Sequence, residues 1–242
     1  MTLNIPIFKQ PRQECGTTCL QMVLSYWGRH TPIEELKKEC SIGSPKWRDW
    51  EYRLGLAALK KAFKPIIITM QTFTFDPTWF NLSNTDLIKK LKLELEISKK
   101  MTRETNTENR YFFWHDPKLE IPEIESAIRY LEAGGEILFK PLSKDLIKNF
   151  LSKGAPIIAP HNPSIIHKIP RQDQTGSDWK SDDIGGSHWG HIVVVAGYDS
   201  DRFFISDPSD WFVKSQKYWV EQDLFIEAVS QNDHQLLIID KA

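Results

Sequence analysis

Two stretches of this chain hold the residue types that nucleophilic acyl transfer needs. The first, QPRQECGTTCLQMVLSYWG at 10–28, places Cys15 directly before a strong helical pattern. Backbone N–H groups and the dipole at a helix start stabilise a thiolate, as a neighbouring imidazolium does. Gly16 would let a substrate approach the backbone closely. Gln10, upstream, has a side-chain amide N–H that can meet a developing oxyanion, beside the N–H of Cys15.

The second stretch, HIVVVAGYDSDRFFISDPS at 191–209, has two apolar runs flanking Gly197, Tyr198, Asp199, Ser200 and Asp201. That composition predicts a hairpin turn. A hairpin symmetric about Asp199 sets His191 directly opposite Asp207, and residues so paired have Cβ atoms roughly 4.5–5.5 Å apart. A histidine oriented by a carboxylate lacks only a thiol or hydroxyl to form a nucleophilic set. Each residue alone has a plainer reading, since free cysteine packs as a small hydrophobe and a strand histidine is usually a satisfied core group. Together they describe one chemistry.

Positioning elements follow from the pattern. Cys19, Leu20, Val23, Leu24 and Trp27 fall on one helical stripe that Gly28 ends. A second helix starts with Thr31 as N-cap and Pro32 at its first position, and a third covers 49–63. The β-branched and aromatic run 65–75 predicts a strand. Amphipathic helices follow at 84–101 and 121–135, then a short helix capped by Ser143 and a strand at 155–160. Residues 161–187 lack periodicity and read as a loop, with 171–187, including Gly176, Gly185 and Gly186, as a candidate lid. The hairpin strands, a helix at 220–229 and a strand at 235–240 complete the chain. Helices dominate the first two thirds and strands the last third, which favours α+β over alternating units.

With 242 residues, 40% hydrophobic and 26% charged, the chain suits one globular domain spanning 1–242. A net charge of −1 gives no reason to expect nucleic acid as a partner. The basic run Lys89, Lys90, Lys92, Lys99, Lys100 and Arg103 is interleaved with acids and reads as a solvated helix face. No apolar stretch is long enough to span a membrane, and the opening residues lack the pattern of a secretory signal. Three cysteines, Cys15, Cys19 and Cys40, do not make a disulfide framework, so a reducing, cytoplasmic setting is expected.

The two stretches resemble the motifs of the C39 peptidases, papain-like cysteine proteases of bacteriocin-exporting transporters and stand-alone bacterial relatives. The first resembles their opening motif: glutamine, a spacer, Cys-Gly, then an apolar helix ending in an aromatic residue and glycine. The second resembles their histidine, valine-rich strand, Gly-Tyr-Asp and Asp-Pro. The resemblance implies Cys15 as nucleophile, His191 as general base and acid, Asp207 as its orienting partner and Gln10 in the oxyanion hole, with Gln13 as a competitor. It implies a papain-like fold with the nucleophile helix packed on an antiparallel sheet, a peptide or protein substrate, and no cofactor or metal. It covers roughly 5–65 and 140–240, leaving about 65–140 as a helical insertion. The same residues could pass the acyl group to an amine, as an acyltransferase or transglutaminase-like enzyme does, or the domain could be a non-catalytic peptide-binding module.

The remaining candidates are weighed by position. Cys19 lies on the buried stripe and Cys40 ends a helix, so both read as structural. His161 and His188 could approach the site. Trp47, Trp50, Trp114, Trp179 and Trp189 fall outside obvious core stripes; Trp189, next to the histidine strand, is the best candidate to line a substrate groove.

Overall fold

The run opening at Cys15 folds as α1, Cys15–Tyr26, and its apolar stripe of Cys19, Leu20, Val23 and Leu24 is fully buried. The computed structural model describes residues 1–11, 13–41, 49–104, 117–173, 179–232 and 235–241. After α1 come α2 (Ile33–Cys40), α3 (Trp50–Lys60) and β1 (Phe63–Thr69). Next are α4 (Asn84–Glu104), α5 (Pro117–Glu132), β2 (Glu136–Phe139), α6 (Lys144–Ser152) and β3 (Ile157–His161). The last part holds α7 (Pro163–His167), β4 (Gln172–Asp173), β5 (Lys180–Ser181), β6 (His191–Tyr198), β7 (Arg202–Ser206), β8 (Lys217–Glu221), α8 (Gln222–Ser230) and β9 (Leu236–Lys241).

Seven strands form one sheet in the order β2-β1-β9-β3-β6-β7-β8. Every neighbouring pair is antiparallel except β1 and β2, whose parallel pairing follows from the crossover through α4 and α5. One face of the sheet packs Ile67, Ile158, Ile192, Val194 and Leu237 against the helices α1 to α5. The other packs Ile157, Val193, Val195, Phe203 and Ile238 against α6 and α8. A strand covered on both faces needs apolar side chains at consecutive positions, which accounts for the unbroken run Ile192–Ala196 in β6.

Several expectations change here. Helix α2 starts one residue later than Thr31 and Pro32 suggested: extended Pro32 is its N-cap and makes no side-chain cap bond. Thr31 is buried and its carbonyl accepts from Gln21 Nε2 at 2.9 Å. The strand expected at 65–75 is Phe63–Thr69, so the span 65–140 carries the sheet strands β1 and β2 as well as helices. The expected loop 161–187 contains α7 and the ribbon β4–β5, while Gly176 lies outside the described residues. Trp50 is a core residue; Trp47 and Trp114 also lie outside the described residues. Ser143 does cap α6, its hydroxyl accepting from Leu146 N.

The hairpin joins β6 to β7, but it is not symmetric about Asp199. Val194 faces Ser206 and Val195 faces Ile205, and a bulge follows before Gly197 pairs with Phe204. Residues 1–3 pair with β6 at the same place, through a bridge between Thr2 and Gly197. Leu3 N donates to Ala196 O at 2.6 Å and Tyr198 N to Met1 O at 2.9 Å, so the chain's opening residues occupy the bulged edge. A Cβ on Gly197 would lie 2.4 Å from Met1 O, which is why this position is glycine.

Candidate active site

His191 is the first residue of β6, at the end of the sheet, and α1 packs across this strand. Gly16 is buried, and a Cβ there would lie 3.1 Å from Ile192 Cδ1 and 3.5 Å from Leu54 Cδ1. The glycine thus sits where α1 comes close to β6 and α3. Cys15, half-buried at the first position of α1, is brought against His191 by that approach. No side chain caps the helix at Glu14, and no acid occupies its first turn.

Extending the β6–β7 register places Ser209, not Asp207, directly opposite His191. Asp207 is the diagonal neighbour two residues away on the same face, still within reach of long side chains. His191 Nε2 meets Asp207 Oδ1 at 2.8 Å, and both side chains are essentially buried. That leaves Nδ1 as the ring nitrogen available to Cys15. Asp207 also accepts from Ser209 N on Oδ1 and from the Tyr218 hydroxyl on Oδ2, each at 2.8 Å. The carboxylate is thus held from three directions.

The electrostatics favour an ion pair. Burial alone would lower the His191 pKa; the Asp207 charge and hydrogen bond, with Cys15 beside it, reverse this and raise it to about 9. For Asp207 burial raises the pKa, but the His191 imidazolium and the Ser209 and Tyr218 hydrogen bonds hold it below the ordinary carboxylate value. Cys19 and Cys40 are core thiols. Burial, with the Cys15 and Asp207 charges, pushes Cys19 far up, and its Sγ donates to Ile192 O at 3.2 Å. Burial pushes Cys40 up to about 12. Both stay protonated core thiols.

A family model described as "Peptidase_C39 like family" matches residues 2–235. The chain belongs to the Peptidase_C39 like family. Membership makes it a cysteine-type peptidase at the level of the family. Comparison with curated proteins returns no match. Among solved structures, it is similar to one described as a C39-like peptidase from Bacillus anthracis: 18% identity, 99% of this chain and 96% of that one covered, TM-score 0.43. It is also similar to the peptidase domain of Streptococcus ComA, a bi-functional ABC transporter of a quorum-sensing pathway, with 13% identity, 98% of each chain covered and TM-score 0.45.

Around this C39-like site the other sequence candidates separate. Gln10 is half-buried, its backbone N–H donating to Pro208 O at 2.9 Å. Beside it, Lys9 pairs with Asp210 at 2.7 Å, so the Gln10 segment is tied to the segment that carries Asp207. Gln13 is exposed, with φ 62. His188 is exposed, whereas His161 pairs directly with His191 between β3 and β6, the rings 5.5 Å apart. His161 is fully buried, and neither ring nitrogen has a hydrogen-bond partner among the described residues. Burial, aided by the His191 charge, lowers its pKa to about 3, so it is neutral beside its charged neighbour.

Trp189 is 9% exposed, so it is not an open groove wall. It lies under Trp211, the two rings stacked at 5.1 Å. Sequence reasoning missed Trp211 and Tyr218. Tyr218 carries no local signal, because its partner lies across a strand pair. The only hint for Trp211 is its position just after the Asp207-Pro208 turn.

Proposed function

We propose that this C39-like peptidase cleaves a peptide or amide bond through a Cys15–His191–Asp207 triad and a thioester intermediate. The Cys15 thiolate attacks the carbonyl carbon, and the charge moves to oxygen. The Gln10 side-chain amide and the Cys15 N–H face that oxyanion. The His191 imidazolium gives its proton to the leaving nitrogen as the C–N bond breaks. Water then attacks the thioester, His191 takes its proton, and the thiolate leaves. Asp207 stays ionised throughout and fixes the ring's orientation.

The 2.8 Å contact between His191 Nε2 and Asp207 Oδ1, with Cys15 beside the other side of the ring, carries this reading. It is tested by the rate of iodoacetamide alkylation of Cys15 at pH 6 in the native protein and in His191→Ala. Fast alkylation in the native protein that is lost in the variant is the expected result. Slow, equal alkylation in both would remove the triad and leave a binding domain.

A further inference from the structure

Beside His191 lies an aromatic cluster with one open face. Trp211 is 53% exposed. It stacks on Trp189 at 27° and meets Phe212 edge-on at 4.9 Å and Trp179 edge-on at 6.1 Å. The cluster reaches the histidine through two contacts, Phe212 at 5.0 Å and Trp189 at 6.1 Å from its ring. Its anchoring is rigid: Ser209 N donates to Asp207 Oδ1, so the segment leading to Trp211 is fixed by the carboxylate that holds His191. The neighbouring charges, Lys9 and Asp210, neutralise each other.

We propose that Trp211, backed by Trp189, Trp179 and Phe212, is a subsite for an aromatic side chain on the leaving-group side of the scissile bond. The assignment rests on the proposed roles of Cys15 and His191. Whichever residue follows the scissile bond must present its nitrogen to His191, within hydrogen-bond reach. Its side chain therefore starts beside the rings that flank the imidazole. The open ring in that cluster is Trp211, whose face offers offset-stacked and edge-on packing at no polar desolvation cost. A cationic side chain would find a ring face, but the neighbouring Asp210 already pairs with Lys9 at 2.7 Å.

The natural substrate is not needed for the test. p-Nitrophenyl acetate acetylates Cys15 and releases nitrophenolate. Added amino-acid amides then compete with water for the acetyl group. The amine lone pair attacks the thioester carbonyl, His191 takes the amine proton, the C–S bond breaks to release the thiolate, and an N-acetyl amide forms. The yields of N-acetyl products from glycinamide, phenylalaninamide and argininamide are measured by chromatography.

Phenylalaninamide is expected to divert half the acetyl group at about a tenfold lower concentration than glycinamide. Trp211→Ala is expected to abolish most of that preference, and Trp219→Ala, on the far strand β8, to keep it. Equal potency of the two amides, a preference for argininamide, or a preference unchanged in Trp211→Ala overturns the subsite. Nitrophenolate release that is undiminished in Cys15→Ala overturns instead the reading of Cys15 on which it rests.

Discussion

Replacing Asp207 by asparagine keeps the shape of the site and removes the charge that governs His191. The difference between the ordinary imidazole value of 6.5 and about 9 corresponds to about 3 kcal/mol in favour of the imidazolium. Without the carboxylate, burial lowers the His191 pKa against the smaller upward pull of Cys15 alone. At pH 7.5 nearly all native rings carry the proton, and a smaller share do in Asp207→Asn. Cys15 alkylation at that pH, which depends on the imidazolium partner, is expected to fall at least about tenfold. Nitrogen chemical shifts of the His191 ring give the titration directly: near 9 in the native protein and well below that in the variant. The stability consequence has a definite sign. A raised histidine pKa stabilises the fold fully below about 6.5, and this is lost as pH rises through about 9. The lowered Asp207 pKa acts at the other end, its contribution disappearing as pH falls through the acid range. If His191 still titrates near 9 in Asp207→Asn, the carboxylate is not what holds its proton and the argument fails.

Tyr218→Phe removes a 2.8 Å hydrogen bond to a buried carboxylate, and urea unfolding at pH 7 should show a loss of about 1–3 kcal/mol; an unchanged midpoint would mean the hydroxyl contributes nothing. His161→Phe replaces a ring whose nitrogens have no hydrogen-bond partner among the described residues. Urea stability should therefore stay level or rise, and a loss above about 2 kcal/mol would contradict the absence of partners. Gly197→Ala sets a methyl against the Met1 carbonyl and should lower Tm by the equivalent of about 1–3 kcal/mol. A variant with native Tm would show that residues 1–3 do not press on the bulge.

The helix that opens at Cys15 was legible because α1 keeps a strict stripe from Cys19 to Leu24, and β6 because a strand buried on both faces must be continuously apolar. The His191–Asp207 contact was reached by a register that is wrong in detail. The bulge between Val195 and Gly197 lies where Met1 and Leu3 pair with β6, a pairing between distant parts of the chain that turn composition does not encode. The contact survives because the displacement is two residues, which keeps both side chains on one face. His161, Tyr218 and Trp211 were hidden or only hinted at for the same reason, since their positions come from strand order. The short elements β2, α7, β4 and β5 are below the length at which periodicity can be read. Thr31 and Pro32 misled by one residue because an extended proline can itself stand at the helix boundary.

Strand β9 occupies the middle of the sheet, between β1 and β3, although its residues come after every other element. Before it is inserted, β2 and β1 share no hydrogen-bonded edge with β3, β6, β7 and β8. The N-terminal parts of a chain emerge first during synthesis, so Cys15, His191 and Asp207 all exist before the strand that unites the two halves. Pairings between distant segments are also the slow ones to form. Residues 236–241 thus join two groups of strands, β2–β1 and β3–β6–β7–β8, whereas Cys15, His191 and Asp207 sit on one side of that join, on α1, on β6 and just after β7.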